Sequence, residues 1–340
     1  MRDKADNTPD NRAAAAMNRP WRVLDMTDAG VDRAAFDPLI PVAQVDHRPP
    51  DRVFLLDHIH EYDVYLATLH VRFDRAMAQR GSEGQLRLVY TPTTGLDHLD
   101  LDAIDEFGFG IEMRCIRTEH DLLDQVTSTA ELAFTLRLAV ARKTSSAHNA
   151  AMLGHWARDE FRGHQFAGKT LGILGVGRLG RMMIDYGRAF RMNVIGCDPN
   201  PLRCIDGLDY VDFDTLAARA DVISIHIHLT PQNEHFIDAD RIARMKDAVI
   251  LVNTSRGGVI DEAALESGKV GGFGADVIDG EWRDDLAQHP LIVFAREHDN
   301  VIIVPHIGGI THESQFITCQ FIAQKTAHLI RQWDTQNTHM

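Results

Sequence analysis

The sequence predicts an α/β protein built on parallel sheets, because short apolar runs of strand length alternate with segments of helical periodicity. The clearest unit covers residues 169–198. Its first apolar run, Thr170–Leu174, leads into a glycine-rich turn, a helical segment and a second apolar run, Asn193–Cys197. Repetition of this alternation along the chain predicts doubly wound sheets with helices on both faces.

The turn after the first of these strands has the composition of a phosphate-binding loop. Gly175, Gly177 and Gly180 have G-x-G-x-x-G spacing, and Asp198 follows the second strand. The glycines allow a tight turn, a close approach of a pyrophosphate to the backbone, and close packing of the helix on the strand. N–H groups at the helix start would bind the phosphates. Asp198 would accept hydrogen bonds from a ribose and repel a 2′-phosphate, which favours NAD over NADP, although Arg203 nearby moderates that preference.

Composition restricts the class of protein. The chain has 340 residues, enough for about two domains, and its net charge of −14 argues against nucleic acid or an anionic membrane as the main partner. Its 4 cysteines form no C-x-x-C pair, which predicts free thiols in a reducing cytoplasm. No apolar run approaches the ~18 residues of a membrane span. Residues 1–20 lack the apolar core of a signal peptide, so we expect a mobile tail. Most of the 18 histidines are isolated, and no metal is predicted.

The region before the glycine turn has no phosphate-binding motif and is a candidate for the substrate side. Strands are predicted near residues 21–26, 42–46, 62–69 and 87–90. The turn at Thr94 and Gly95 could offer N–H groups to a carboxylate, and His70 and Arg72 could contact an anionic substrate. From these residues alone, an ordinary turn and solvated side chains are the simpler interpretations.

Two longer helices complete the prediction. Residues 121–143 have a broad apolar face and predict one continuous helix, either in a core or at a subunit contact. Trp156 follows in a polar stretch that could form an arm across such a contact. Residues 314–333 predict the last helix of the chain.

Three polar residues each follow the carboxyl end of a predicted strand: Arg256, Glu281 and His306. Ligands of doubly wound sheets bind at this edge. An arginine that binds a carboxylate, a histidine that moves a proton and an acid that orients the imidazole suit hydride chemistry. Taken singly, a surface arginine, a loop acid and a capping histidine are ordinary features, so strand periodicity alone leaves their role open.

Several segments carry a family resemblance. In chain order they are YTPTTGLDHLDLDAI at 90–104, STAELAFTLRLAVAR at 128–142, GKTLGILGVGRLGR at 168–181, ADVISIHIHLTPQNEHFI at 220–237, MKDAVILVNTSRGGVIDEAAL at 245–265, GADVIDGE at 274–281 and PHIGGITHES at 305–314. Over about residues 62–330 the chain resembles the D-isomer-specific 2-hydroxyacid dehydrogenase family, including glyoxylate/hydroxypyruvate reductases and phosphoglycerate dehydrogenase.

The resemblance implies two Rossmann-like domains with the active site in the cleft between them. The cofactor domain would be inserted into the substrate domain, so that residues 1–116 and 309–340 form the substrate domain and residues 117–308 the NAD-binding domain. Members of the family are usually homodimers joined through their cofactor domains, which suits the predicted helix and the Trp156 arm.

The resemblance also implies residue roles. Arg256 would bind the substrate, and Glu281 would be the acid paired with the catalytic His306. Asp276 would hold the nicotinamide carboxamide and Asp198 the adenosine ribose. The predicted cofactor-binding residues are Gly175, Gly177, Arg178, Leu179, Gly180, Asp198, Thr254 and Asp276. The predicted substrate-binding residues are Thr94, Gly95, His70 and Arg256.

The function that follows is an NAD-dependent oxidoreductase that interconverts a D-2-hydroxy acid and its 2-keto acid, with His306 as acid and base. The alternatives are a dehydrogenase of phosphite or another small anion and a non-catalytic NAD(H)-sensing protein. Formate oxidation ranks low, because the formate branch of the family uses glutamine where Glu281 stands. Trp282 stands where the family usually has proline, so the side chain of the substrate is not predicted.

Overall fold

The computed structural model describes residues 19–27, 30–107, 111–200 and 205–338. Most of the predicted tail, together with Arg203 and Cys204, lies outside these residues. The chain divides into two compact units, the first formed by Met1–Val126 with His312–Met340 and the second by Thr127–Thr311. The last segment of the chain therefore belongs to the same unit as the first.

The described helices are numbered in chain order. They are α1 (Arg52–His58), α2 (Arg75–Ser82), α3 (Leu101–Phe107), α4 (His120–Leu123), α5 (Ser128–Ala141), α6 (Thr144–Met152), α7 (Arg178–Ala189), α8 (Phe213–Arg219), α9 (Ala239–Ala243), α10 (Pro290–Glu297) and α11 (His312–Thr338). Short 3-10 helices cover Arg33–Leu39, Ile59–Glu61, Arg158–Phe161, Gly257–Val259, Glu262–Ser267 and Leu286–Gln288.

The first unit is built on one parallel sheet. Its strands are β1 (Trp21–Asp25), β2 (Ala43–His47), β3 (Val64–Leu66), β4 (Leu88–Thr91) and β5 (Glu112–Cys115), in the order β2-β1-β3-β4-β5. This is a flavodoxin-like order. The helix α11 packs against the 3-10 helix Arg33–Leu39, and the indole Nε1 of Trp21 donates to Oδ1 of Asp334 at 2.8 Å.

The second unit is a larger parallel sheet. Its strands are β6 (Thr170–Leu174), β7 (Asn193–Cys197), β8 (Asp209–Tyr210), β9 (Val222–Ile225), β10 (Val249–Asn253), β11 (Val270–Ala275) and β12 (Val301–Ile303), in the order β12-β11-β10-β9-β6-β7-β8. All of the pairs are parallel. Apolar clusters cover both faces, as near-continuous apolar strands require. The strand order reverses between β6 and β9, as in a Rossmann fold, and the predicted fold class is confirmed.

The single helix predicted over residues 121–143 is wrong. The chain forms α4, a short irregular passage, α5, and then α6 after Lys143, which has a left-handed φ of 51°. The apolar face is divided between two cores, because Leu122 and Leu123 pack in the first unit while Ala130 and Leu136 pack in the second. Along the chain, the division between the two compact units falls between Val126 and Thr127.

A buried arginine is an unexpected feature of α5. Arg137 is fully buried, with its guanidinium carbon 3.6 Å from the ring centre of Phe134 and 4.7 Å from that of Phe166. Nη1 donates to Sδ of Met192 at 3.2 Å, but Nε and Nη2 have no hydrogen-bond partner within the part of the chain that the structure describes. Burial lowers the pKa of Arg137 to about 9. The aromatic rings offset only part of this desolvation.

We expect Arg137→Met to raise the melting temperature. Desolvating an ion costs several kcal/mol, against about 2 kcal/mol for a desolvated cation–π contact, so an unbranched apolar side chain should add roughly 1–3 kcal/mol to the unfolding free energy. Thermal unfolding followed by circular dichroism measures this. Arg142→Met, at an exposed position next to the end of the same helix, is the control and should change the free energy by about 0.5 kcal/mol or less. A lower melting temperature for Arg137→Met would mean that the buried cation is net stabilising.

No helix among the described residues is both long enough and apolar enough to cross a membrane. Within those residues, no group of three or more His, Cys, Asp or Glu side chains is arranged to hold a metal ion.

Candidate active site

The glycine turn lies between β6 and α7, at the point where the strand order reverses. Gly175 has a φ of 95°, and a Cβ there would lie 2.8 Å from the carbonyl of His226, which follows β9. A Cβ on Gly180 would lie 2.2 Å from the carbonyl oxygen of Gly175. Gly177 precedes α7 and contributes no side-chain cap. Both the backbone and the space at this turn therefore require glycine, as in a phosphate-binding turn.

Asp198 lies at the tip of β7 beside this turn. Its Oδ2 accepts a hydrogen bond from the N–H of Val176 at 2.8 Å, and its Oδ1 accepts one from the N–H of Asn200 at 2.9 Å. These bonds fix the carboxylate beside the turn, and a carboxylate oxygen can accept more than one hydrogen bond, which suits a ribose hydroxyl. Arg178 and Leu179 begin α7 at the same turn.

Arg256 follows β10 in a turn organised by a buried asparagine. Oδ1 of Asn253 accepts from the N–H and hydroxyl of Ser255 at 3.0 and 2.7 Å, and its Nδ2 donates to the carbonyl oxygen of Arg256 at 2.9 Å. Oγ1 of Thr254 is buried and has no hydrogen-bond partner among the described residues. A buried hydroxyl in this state is a candidate ligand group. The sequence analysis missed Asn253, although its place at the end of a strand is the same signal that identified Arg256.

Gly257 brings the loops after β10 and β11 into direct contact. A Cβ on Gly257 would lie 2.0 Å from the carbonyl carbon of Ile278 and 2.1 Å from the nitrogen of Asp279. Only glycine fits there, because both obstructing atoms belong to the backbone. The Arg256 loop and the loop that carries Glu281 are thus held in one arrangement.

His306 is joined to Glu281 by a short hydrogen bond. Nδ1 of His306 lies 2.8 Å from Oε1 of Glu281, and the two side chains are 26% and 14% exposed. A carboxylate can only accept, so Nδ1 carries the proton and Nε2 is left to exchange a proton with a ligand. The backbone of His306 is left-handed, with a φ of 52°, and its N–H donates to the carbonyl oxygen of Asp276 at 2.9 Å.

The carboxylate of Asp276 fixes the loop after His306 by accepting hydrogen bonds from its backbone. Its Oδ1 accepts from the N–H of Ile307 at 2.6 Å and its Oδ2 from the N–H of Gly308 at 2.9 Å. Burial raises the pKa of Asp276, while the charge of His306 and the two amide hydrogen bonds oppose the shift. The carboxylate thereby supports an unfavourable backbone conformation at His306, a role that the sequence analysis did not anticipate.

His226 lies beside the glycine turn and was not singled out by the sequence analysis. It follows β9 at the reversal point, and its Nε2 lies 2.8 Å from Oγ of Ser224. Burial lowers the pKa of His226 to about 4, so the ring is neutral at physiological pH. Its position directly after a predicted strand is the sequence feature by which it could have been identified as a neighbour of the glycine turn.

The remaining predicted residues belong to the first unit. Thr94 and Gly95 follow β4, where Oγ1 of Thr93 donates to the carbonyl oxygen of Gly95 at 2.8 Å. Nε of Arg117 donates to the carbonyl oxygen of Thr94 at 2.8 Å. His70 follows β3, and its N–H donates to Oγ1 of Thr68 at 3.1 Å.

Comparison with known proteins agrees with this geometry. Residues 134–308 match the model of the D-isomer specific 2-hydroxyacid dehydrogenase NAD binding domain. A hydroxypyruvate reductase of Thermotoga maritima is 36% identical over 265 residues, which cover 77% of this chain and 82% of that protein. The chain belongs to the D-isomer-specific 2-hydroxyacid dehydrogenase family. It is therefore an NAD-dependent oxidoreductase of the class that acts on CH–OH donors.

Two further relatives define the extent of the likeness. A D-3-phosphoglycerate dehydrogenase of Methanocaldococcus jannaschii is 34% identical over 285 residues, covering 82% of this chain but 51% of that protein. The chain thus spans about half the length of that relative. A solved structure of the pyruvate reductase of Chlamydomonas reinhardtii superposes with a TM-score of 0.79 at 25% identity, covering 93% of this chain and 98% of that chain.

Proposed function

We propose that the protein reduces a small 2-keto acid to the D-2-hydroxy acid with NADH, and that Arg256, Glu281 and His306 carry the reaction. The observation that supports this most strongly is the 2.8 Å hydrogen bond between His306 Nδ1 and Glu281 Oε1. His306 follows β12 and Glu281 follows β11, and these two strands are neighbours in the sheet. Arg256 follows β10, the next strand of the same sheet.

The residues fit a bound dinucleotide. The turn at Gly175 and Gly180 has no room for a Cβ, so a pyrophosphate could approach the N–H groups at the start of α7, and Asp198 would accept from the adenosine ribose. The unpartnered hydroxyl of Thr254 and the carboxylate of Asp276 would bind toward the nicotinamide end. When bound, NADH supplies the hydride that reduces C2 of the keto acid.

The protein groups supply orientation and the proton. Nε2 of protonated His306 donates its proton to the oxygen at C2 as negative charge develops there. Glu281 keeps the imidazole oriented through Nδ1 and stabilises its charged form. The guanidinium of Arg256 binds the substrate carboxylate and carbonyl and stabilises the developing alkoxide. We further propose that the N–H groups of Thr94 and Gly95 bind the substrate carboxylate and that His70 contributes to substrate binding.

The test is NADH oxidation, followed by absorbance, with glyoxylate, hydroxypyruvate, pyruvate, phenylpyruvate and 2-ketoglutarate. Turnover of at least one keto acid is expected. Oxidation of phosphite with NAD, in the absence of keto-acid reduction, would support the small-anion alternative. Tight NADH binding without any turnover would support an NAD(H)-sensing protein.

We propose that Asp198 makes the enzyme prefer NADH over NADPH. Asp198→Ser removes the charge that repels a 2′-phosphate, so the ratio of kcat/KM for NADH to that for NADPH should fall by about tenfold or more. Asp206→Ser, which removes an exposed acid further along the same loop, is the matched control and should leave the ratio unchanged. An unchanged ratio in Asp198→Ser would exclude Asp198 as the selector.

We propose that the protein is a homodimer that acts in the cytoplasm. The helix α6 has no buried residue, and the apolar side chains of Met152, Leu153 and Trp156 are 70%, 76% and 86% exposed. A run of exposed apolar groups of this size is typical of an interface. In the described part of the chain, Cys115, Cys197 and Cys319 are not joined in disulfides, which fits a reducing compartment.

Light scattering after size-exclusion chromatography tests the dimer. The wild-type protein should have the mass of two chains, and the double variant Leu153→Ser/Trp156→Ser should shift toward monomer. Val53→Ser, at a position 68% exposed in the first unit, is the control and should remain dimeric. A monomeric wild-type protein would contradict the proposal.

A further inference from the structure

We propose that Glu262 and His289 are positioning residues that keep Glu281 against His306 by holding the backbone of Asp279 from both sides. The inference rests on the proposed function, in which His306 is the acid and base. Neither residue belongs to the set that the sequence analysis identified, because neither follows the end of a strand.

The contacts converge on one residue of the loop after β11. The N–H of Asp279 donates to Oε1 of Glu262 at 2.8 Å. The carbonyl oxygen of Asp279 accepts from Nε2 of His289 at 2.7 Å. The two peptide groups on either side of the Asp279 Cα are thus each held, and Gly280, with a φ of 71°, is the one residue between Asp279 and Glu281 in the chain. The direction in which Glu281 leaves the backbone is consequently set by two side chains from other elements.

Both side chains are themselves held in place. The side chains of His289 and Glu262 are 5% and 13% exposed, and Oε2 of Glu262 lies 3.7 Å from Nε2 of His289. Nδ1 of His289 accepts the N–H of Leu291 at 3.2 Å at the start of α10. Since Nδ1 accepts, Nε2 must carry the proton, and the ring is committed as a donor to Asp279.

The charge on Glu262 supports the same role. Burial raises the pKa of Glu262 to about 6, while the hydrogen bond from the N–H of Asp279 favours the ionised form. At neutral pH the carboxylate is therefore mostly ionised and accepts the Asp279 N–H as a charge-assisted hydrogen bond. His235 lies on the outer side of the loop, with Nε2 3.8 Å from Oδ2 of Asp279, in an exposed position.

The peptide group whose N–H donates to Glu262 also contacts the Arg256 turn. The peptide that joins Ile278 to Asp279 lies directly against Gly257, where there is no space for a Cβ. Displacement of this peptide would move Glu281 away from His306 and loosen the support of the Arg256 loop. The pair of Glu262 and His289 therefore lies where a small shift would affect the groups proposed to react.

Kinetics of single variants provide the first test. Glu262→Ala and His289→Leu remove the acceptor and the donor, and each should lower kcat by about ten- to a hundredfold. The Kd for NADH should stay within about twofold, because the proposed pyrophosphate site follows β6, which is three strands away from β11 in the sheet. Glu262→Gln and His289→Gln keep an acceptor and a donor at the same places and should recover kcat to within about threefold of the wild-type value. Conservative variants as impaired as Glu262→Ala and His289→Leu would overturn the proposal.

A double-mutant cycle separates positioning from general structural damage. If Glu262 acts through Glu281, Glu262→Ala should lower kcat little further in the background of Glu281→Gln. Effects that multiply in the double variant would overturn the proposal.

A readout without turnover distinguishes failure of this proposal from failure of the proposed function. In protein labelled with ¹⁵N-histidine, the Nδ1–H resonance of His306 is identified by its loss in His306→Gln. It should weaken in Glu262→Ala and persist in Glu262→Gln. An unchanged resonance in Glu262→Ala would overturn the positioning role even if the enzyme is active. If the resonance weakens in Glu262→Ala and persists in Glu262→Gln, but the wild-type protein reduces no keto acid, the positioning role would stand and the proposed function would be refuted.

Discussion

Replacing His306 with glutamine should lower kcat by about two or more orders of magnitude, while the Kd for NADH changes little. Glutamine can still donate a hydrogen bond to Glu281, but it cannot transfer a proton to the alkoxide that forms at C2. The proposed cofactor contacts lie mainly at the glycine turn and Asp198, at other strand ends of the same sheet.

Steady-state kinetics and NADH fluorescence titration measure the two quantities separately. His312→Gln is the control, because His312 begins α11 and is exposed, and its kcat should match that of the wild-type protein. Near-normal turnover in His306→Gln would remove His306 from the mechanism.

Replacing Arg256 with glutamine should lower kcat/KM for the keto acid by roughly two orders of magnitude. Loss of a charged fork that binds the carboxylate and stabilises the developing alkoxide costs about 3 kcal/mol. Arg256→Lys should be intermediate, since lysine keeps the charge but cannot form the planar two-pronged contact. The Kd for NADH is the internal control and should be unchanged in both variants.

An Arg256→Gln protein whose kcat/KM stays within about threefold of the wild-type value would contradict this role. A loss confined to NADH binding would also contradict it, because Arg256 would then serve the cofactor and not the substrate.

The fold and part of the site could be predicted from local sequence. The strand, glycine turn, helix, strand and acid between residues 169 and 198 are adjacent in the chain, and each has its own signal. The structure contains this unit, with β6, α7 and β7 in place and Asp198 beside the turn. Arg256, Glu281 and His306 could be chosen because the carboxyl ends of parallel strands share one edge.

Long-range contacts could not be predicted in this way. Glu262 and His289 meet at Asp279 from separate elements, and no periodicity encodes that meeting. Nor does a sequence pattern indicate that Asp276 accepts from the N–H groups of Ile307 and Gly308. These contacts depend on how loops pack, which only the three-dimensional arrangement determines.

The helix predicted over residues 121–143 failed for a related reason. Its apolar positions were attributed to one face, but Leu122 belongs to the core of the first unit and Leu136 to that of the second. A hydrophobic pattern records that residues are buried and not in which core they are buried. Burial of a charged residue is just as hard to predict. Arg137 is buried, but no feature of the sequence distinguishes a buried arginine in a helix from a solvated one.

The most direct test of hydride transfer to C2 uses NADH deuterated at the transferring position of C4. The protein is incubated with this NADH and the best prochiral keto acid of the panel, and the product is analysed by mass spectrometry and chiral chromatography. The predicted result is a D-2-hydroxy acid that carries deuterium at C2, formed at a rate that falls with His306→Gln. An L product, or no labelled product from any keto acid despite tight NADH binding, would contradict the proposed reaction.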